Sequence, residues 1–261
     1  MREGGGMRLT VVGCAAAWSR VPGRASSSYL VELGEPGDPG ASAVLLDLGQ
    51  GSFSALAGFR DPANLSAVLI SHVHPDHCID LVPLRLYLRY GCEPSRTVAL
   101  HGPAELRRRF DGLTNEHDFL CDLPGDALAP GTMTVAGFSV SVAPVLHVGT
   151  SYAFRVSPAT DPSAPGLVYS GDCGRAADLL PLVRPGDTLL VEASHGAGPV
   201  IDGPNHLNAA DASGLATDAK AGRLVITHIL DDVDPAAALA LARERFAGEA
   251  MLAEPGLTLT V

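Results

Sequence analysis

Apolar runs in this chain end repeatedly on a side chain that can bind a metal, and this recurrence constrains the fold more than any single motif does. Ala67-Val-Leu-Ile70 leads into Ser71-His-Val-His-Pro-Asp-His-Cys78. The run Phe138 to Leu146 ends at His147, Gly166 to Gly171 at Asp172, and Arg223 to Thr227 at His228. Short runs of aliphatic and β-branched residues bounded by turn residues read as strands. A lone histidine at a strand end is ordinarily a hydrogen-bonded core or surface residue. Three imidazoles and a carboxylate between His72 and His77 are not explained that way.

In extended chain, side chains two apart share a face, so a strand feeding this turn presents His72 and His74 together, while Asp76 and His77 face a second position. Two half-sites in one turn suggest two ions, with the remaining ligands drawn from His147, Asp172 and His228. Imidazole with carboxylate suits Zn²⁺, with Mn²⁺ or Fe as alternatives. The lack of any Cys-x-x-Cys pair argues against a closed structural zinc site.

Strand-like runs recur from Leu9–Val12 to Leu257–Val261, and helix-like segments fall between them, notably Asp76 to Tyr90, Ala104 to Phe110, Ala209 to Ala219 and Pro235 to Phe246. The last opens with Asp234 as N-cap and Pro235 at the first helical position. Periodicity alone gives an α/β (α+β) chain. At 261 residues, 46% of them hydrophobic, it reads as one globular domain, 1–261, with residues 1–6 a loose leader. There is no run of eighteen apolar residues and no secretory stretch, so the expected location is cytoplasmic, away from membranes. Five cysteines without paired spacing read as reduced thiols, Cys78 and Cys173 as small buried residues beside the site.

The His72-x-His-x-Asp-His77 signature resembles that of the metallo-β-lactamase superfamily. Tyr169-Ser-Gly-Asp-Cys173, Leu189-Leu-Val-Glu-Ala-Ser194, His206-Leu-Asn208 and Leu224-Val-Ile-Thr-His228 resemble the successive motifs of its ribonuclease Z-like phosphodiesterases. Ser26-Ser-Ser-Tyr-Leu30 is similar to the opening of the same group. The nearest likeness is to the arm-lacking actinobacterial class that hydrolyses cyclic nucleotides. The resemblance implies a four-layer αββα sandwich and two divalent ions. It assigns His72, His74 and His147 to one ion and Asp76, His77 and His228 to the other, with Asp172 bridging. A hydroxide shared by the ions would be the nucleophile on phosphorus, with Asp76 counted in the catalytic set. His206 would stabilise the phosphate or protonate the leaving group, its tautomer fixed by Glu192. Cys173 stands where the family pattern usually has threonine. The group also brings a homodimer into consideration, although no interface signature stands out in the sequence.

Net charge bears on the substrate. The chain carries 18 lysines and arginines against 29 acids, for a formal charge of −11. Such a surface repels a long polyanion, whereas tRNA binding draws on many basic phosphate contacts. Where the ribonuclease Z group carries a basic arm, this chain has only the short loop Pro158 to Gly166. The expected partner is a small anionic substrate, with no long nucleic acid. Arg107-Arg108-Arg109 reads as a solvated helix end, and the glycine-rich loop 195–205, with His195, as a candidate lid. The alternatives are hydrolysis of a lactone, thioester or β-lactam, and a non-catalytic metal-binding regulator.

Overall fold

The computed structural model describes residues 6–34, 41–201, 203 and 205–261. Residues 1–5 of the expected leader, the joint 35–40, and positions 202 and 204 of the candidate lid lie outside the described residues. The chain runs β1 (Arg8–Gly13), β2 (Ser28–Leu33), β3 (Ser42–Leu46), α1 (Ser52–Leu56), β4 (Ala67–Leu69), α2 (Pro75–Cys78), α3 (Leu81–Leu86), β5 (Ala99–His101) and α4 (Leu106–Thr114). It continues through β6 (Gly131–Val135), β7 (Phe138–Pro144), β8 (Tyr152–Pro158), β9 (Leu167–Tyr169), β10 (Thr188–Glu192), α5 (Ala209–Asp218), β11 (Arg223–Thr227), α6 (Pro235–Arg245), β12 (Glu249–Leu252) and β13 (Thr258–Thr260).

The strands form two mixed sheets, ordered β13-β1-β2-β3-β4-β5 and β12-β11-β10-β9-β8-β7-β6. Alternation of side chains divides those of each sheet between the core shared by the two sheets and a core under that sheet's own helices. Val44 and Leu46 of β3 pack between the sheets with Phe138, Phe154 and Val225. Their neighbours Ala43 and Leu45 face outward onto Leu56 of α1, Leu81 and Leu84 of α3, and Leu106 and Phe110 of α4. On the second sheet, Val225 points inward, while Leu224 and Ile226 lie under Ala212 and Ala216 of α5 and Ala238 and Ala242 of α6. Each fully buried aliphatic side chain contributes roughly 1.5–3 kcal/mol. The result is the four-layer αββα sandwich. Among the described residues, no helix is long and apolar enough to cross a membrane.

Pairing direction positions the site. β3, β4 and β5 run parallel, as do β9, β10, β11 and β12. The carboxyl ends of parallel strands fall on one edge, so the segments after β3, β4, β9, β10 and β11 share one rim.

Several elements differ from the sequence reading. The expected helix Asp76 to Tyr90 is broken into α2, α3 and a π-turn, Tyr87–Gly91. Pro83 cannot donate to Ile79, whose carbonyl instead accepts from Val82 N at 3.1 Å. The expected Ala104 to Phe110 helix lies later, at Leu106–Thr114. There Arg108 and Arg109 are exposed, as expected, whereas Arg107 is half-buried and donates to the carbonyls of Leu120, Leu123 and Gly125. β6 and β12 were not anticipated. The Asp234 cap forms as expected, its carboxylate accepting from Ala236 N and Ala237 N.

Candidate metal centre

The turn between β4 and α2 gives both half-sites their first side chains. His74 is extended, Pro75 starts the helical turn, and Asp76 and His77 follow on it. This turn fits because Gly49 lies against it: a Cβ there would stand 1.9 Å from the Asp76 carbonyl oxygen. The remaining members arrive from the second sheet, with His147 after β7, Asp172 after β9 and His228 after β11. His228 holds a left-handed backbone, φ 55°, uncommon for a non-glycine residue and frequent at functional positions.

The donor atoms converge on two points. At the first, His74 Nδ1 lies 3.1 Å from His72 Nε2 and 3.2 Å from His147 Nε2, while Asp172 Oδ2 lies 3.6 and 3.7 Å from those two Nε2 atoms. At the second, His77 Nε2 lies 3.1 Å from His228 Nε2, 3.5 Å from Asp76 Oδ2 and 3.1 Å from Asp172 Oδ1. His228 Nε2 is also 3.2 Å from Asp76 Oδ2 and 3.4 Å from Asp172 Oδ1. A tetrahedral ion with bonds of about 2.0–2.1 Å spaces its ligand atoms roughly 3.3 Å apart, and both sets match that spacing. The two Asp172 oxygens are divided between the sets. Its Oδ1 is buried without a hydrogen-bond donor, an exposed cost for an acceptor but an ordinary condition for a ligand atom. The residues therefore fit a pair of divalent ions.

The acids and two of the imidazoles are poised for cation binding, while His77 holds a proton that a cation would have to displace. Burial raises the Asp172 carboxyl, but His228, His77 and His72 outweigh it and hold the group well below the usual carboxylate range. Asp76 is likewise raised by burial and brought low by its hydrogen bond to His228 and by His77. Burial pushes His72 and His74 down, so both are neutral and ready to donate a lone pair. His77 moves the other way: burial lowers it, and Asp172 with Asp47 override that and raise it.

A surrounding layer sets the tautomers. Asp47, after β3, accepts from His77 Nδ1 at 2.7 Å, Ser71 N at 2.7 Å, Ser71 Oγ at 2.7 Å and Tyr169 Oη at 2.6 Å. His228 Nδ1 lies 3.1 Å from Ser194 Oγ, which donates to Glu192 Oε2 at 2.7 Å. His147 Nδ1 donates to the Asn205 carbonyl at 2.8 Å. Asp47 and Ser194 were missed in the sequence. Asp47 alone had a local signal, as an acid breaking the apolar run Ala43 to Leu48.

His206 Nδ1 meets Glu192 Oε1 at 3.0 Å and stands 3.9 Å from Asp172 Oδ2. Glu192 also accepts from Cys173 N and Ser194 N, which fixes it. The His206 side chain is 22% exposed, so it lies between the buried acids and the opening of the site. Cys78 and Cys173 hydrogen-bond to the His74 and Arg175 carbonyls and join neither donor set.

The description "Beta-lactamase superfamily domain" matches residues 38–229. The chain is 31% identical over 230 residues to the uncharacterized protein Rv1339 of Mycobacterium tuberculosis, with 85% of this chain and 81% of that one covered. It is 29% identical over 227 residues to the probable metallo-hydrolase YhfI of Bacillus subtilis, 85% of this chain and 87% of that one. The crystal structure of YhfI, a metallo-beta-lactamase fold protein, superposes with a TM-score of 0.83 at 27% identity over 97% of this chain and 99% of that one. The short form of human tRNase Z shares the fold, with a TM-score of 0.70 at 20% identity over 97% of this chain and 99% of that one.

Proposed function

Since the chain belongs to the metallo-β-lactamase superfamily, we propose that it hydrolyses a small phosphodiester, a 3′,5′-cyclic nucleotide, at a two-metal centre. The observation that carries this reading is the division of the Asp172 oxygens between two donor sets, with His206 beside them. His72, His74 and His147 would hold one ion, and Asp76, His77 and His228 the other, with Asp172 common to both. Bound there, two divalent ions supply Lewis acidity and lower the pKa of a coordinated water toward neutrality.

The protein's own groups have distinct tasks. Hydrolysis of a cyclic phosphodiester breaks one P–O ester bond, and the departing ribose oxygen needs a proton. With Nδ1 committed to Glu192, His206 Nε2 is the atom that can contact the phosphate or hand over that proton. Glu192 positions His206 and stabilises its imidazolium form. Asp47 and Ser194 keep the Nε2 atoms of His77 and His228 turned inward. The charge of −11 supports a small substrate over a long polyanion.

The test is metal-replete hydrolysis of cyclic AMP, bis-p-nitrophenyl phosphate, a thioester and a lactone in parallel, with products identified by mass. Turnover of the phosphodiesters is expected. Ester turnover with both phosphodiesters silent would overturn the reading.

A further inference from the structure

The loop between β1 and β2 reaches the second donor set through its backbone. Ala17 N donates to Asp76 Oδ2 at 2.8 Å, the same oxygen that lies 3.2 Å from His228 Nε2. Ala17 is itself exposed, although the carboxylate it contacts is buried. The next residue, Trp18, is the chain's single tryptophan and is 43% exposed. This large, exposed aromatic stands one residue from the Ala17 contact with a candidate ligand and has no role in the core.

The loop is held on its far side as well. Asp231, beyond β11, accepts from Ser19 Oγ at 3.0 Å, Arg20 N at 2.7 Å and Arg24 Nη1 at 3.2 Å. Gln50 Nε2 adds a bond to the Ala17 carbonyl at 3.3 Å. Trp18 thus sits between two anchored points, Ala17 on the metal side and Ser19 on the Asp231 side. Ala17 takes φ 32°, a sparsely populated value for a residue with a Cβ. The Arg20 guanidinium lies over the indole, 5.3 Å from the ring centroid, which further limits the ring's freedom. An exposed aromatic fixed in this way loses little entropy when a planar ligand settles on it.

We infer that Trp18 is the base-stacking residue of this site, the indole face opposite Arg20 taking the planar nucleobase while the metal centre would take the phosphate. This rests on the phosphodiesterase reading and adds to it a determinant for substrates that carry a flat ring. Stacking tolerates any base, because every base has a π-face, so Trp18 contributes affinity without choosing between adenine and guanine.

The sole tryptophan reports on its own environment. In metal-loaded wild-type protein, adenosine 5′-monophosphate should change the intrinsic fluorescence saturably, whereas ribose 5-phosphate and inorganic phosphate should not. Trp18→Ala should raise KM for cyclic AMP roughly ten- to hundredfold, with kcat moving far less, and Trp18→Phe should recover most of the loss. Equal fluorescence responses to adenosine 5′-monophosphate and ribose 5-phosphate, or an unchanged KM in Trp18→Ala, would overturn the inference while leaving the phosphodiesterase reading intact. A wild-type protein that hydrolyses no phosphodiester would remove both.

Discussion

Asp47 Oδ2 stands 2.7 Å from His77 Nδ1, a buried carboxylate bonded to the far side of an imidazole whose Nε2 faces the second donor set. The pairing fixes which nitrogen of His77 carries the proton. It joins the first sheet, through the end of β3, to the donor set that the second sheet completes.

Asp47→Asn keeps the shape and removes the charge. Ion affinity at the second donor set should fall roughly 10- to 100-fold, with the first set less affected. Competitive chelator titration measures both steps. Two unchanged affinities would show that Asp47 serves only Ser71 and Tyr169.

His206 and Glu192 separate chemistry from metal binding. His206→Ala should retain its metal and its melting temperature while kcat falls roughly 10²- to 10⁴-fold. Glu192→Gln should lose less and should shift the pH dependence of kcat, because the imidazolium form of His206 loses its counter-charge. A kcat at the wild-type level in His206→Ala would remove His206 from the chemistry, and the same result in Asp76→Ala as well would assign the observed activity to a contaminant.

The legible part of this fold was the part written locally. Strands buried on both faces, and the turn from His72 to His77, stand out in the sequence because continuous apolar runs and ligand density are short-range signals. β12 was not legible: Glu249-Ala-Met-Leu252 is built of helix formers, and becomes a strand through its parallel pairing with β11. β6, largely exposed at a sheet edge, buries too little for its alternation to stand out. The donor side chains were identifiable as residue types at strand ends, but their grouping came from family likeness, since no spacing rule brings His147, Asp172 and His228 to one point. Asp47 and Ser194 reach His77 and His228 across the fold, and such partners cannot be chosen from one chain's spacing.

The chelator-treated protein should be most stable near pH 6.5. His72 and His74 have folded values below 6.5, so the unfolded chain binds more protons and stability falls as pH drops below that point. Asp76 and Asp172 add to the loss below pH 3.8, as pH falls through their lowered folded values. His77, raised above 6.5, stabilises below that value and gives up its contribution as pH rises through its folded value. Thermal melts from pH 3 to 9 check the sign on each side. A melting temperature that keeps rising beyond pH 8 would contradict the His77 assignment.

Thiol chemistry should separate the cysteines by burial. Burial raises Cys14, pushes Cys173 up to about 12 and takes Cys78 higher still, so none presents a thiolate at pH 8. Cys121 is exposed and Cys92 partly so. Iodoacetamide on native protein should add at most those two adducts by mass. Rapid modification of Cys78 or Cys173 would show that the donor sets open in solution.

Side chains from both sheets would hold a pair of ions through Asp172, and elemental analysis of purified wild-type protein and of Asp172→Ala puts this to the test. About two equivalents of divalent transition metal per chain are predicted for the wild type, falling well below one in the variant. A wild-type protein without stoichiometric metal after reconstitution, or a variant that keeps both ions, would contradict it.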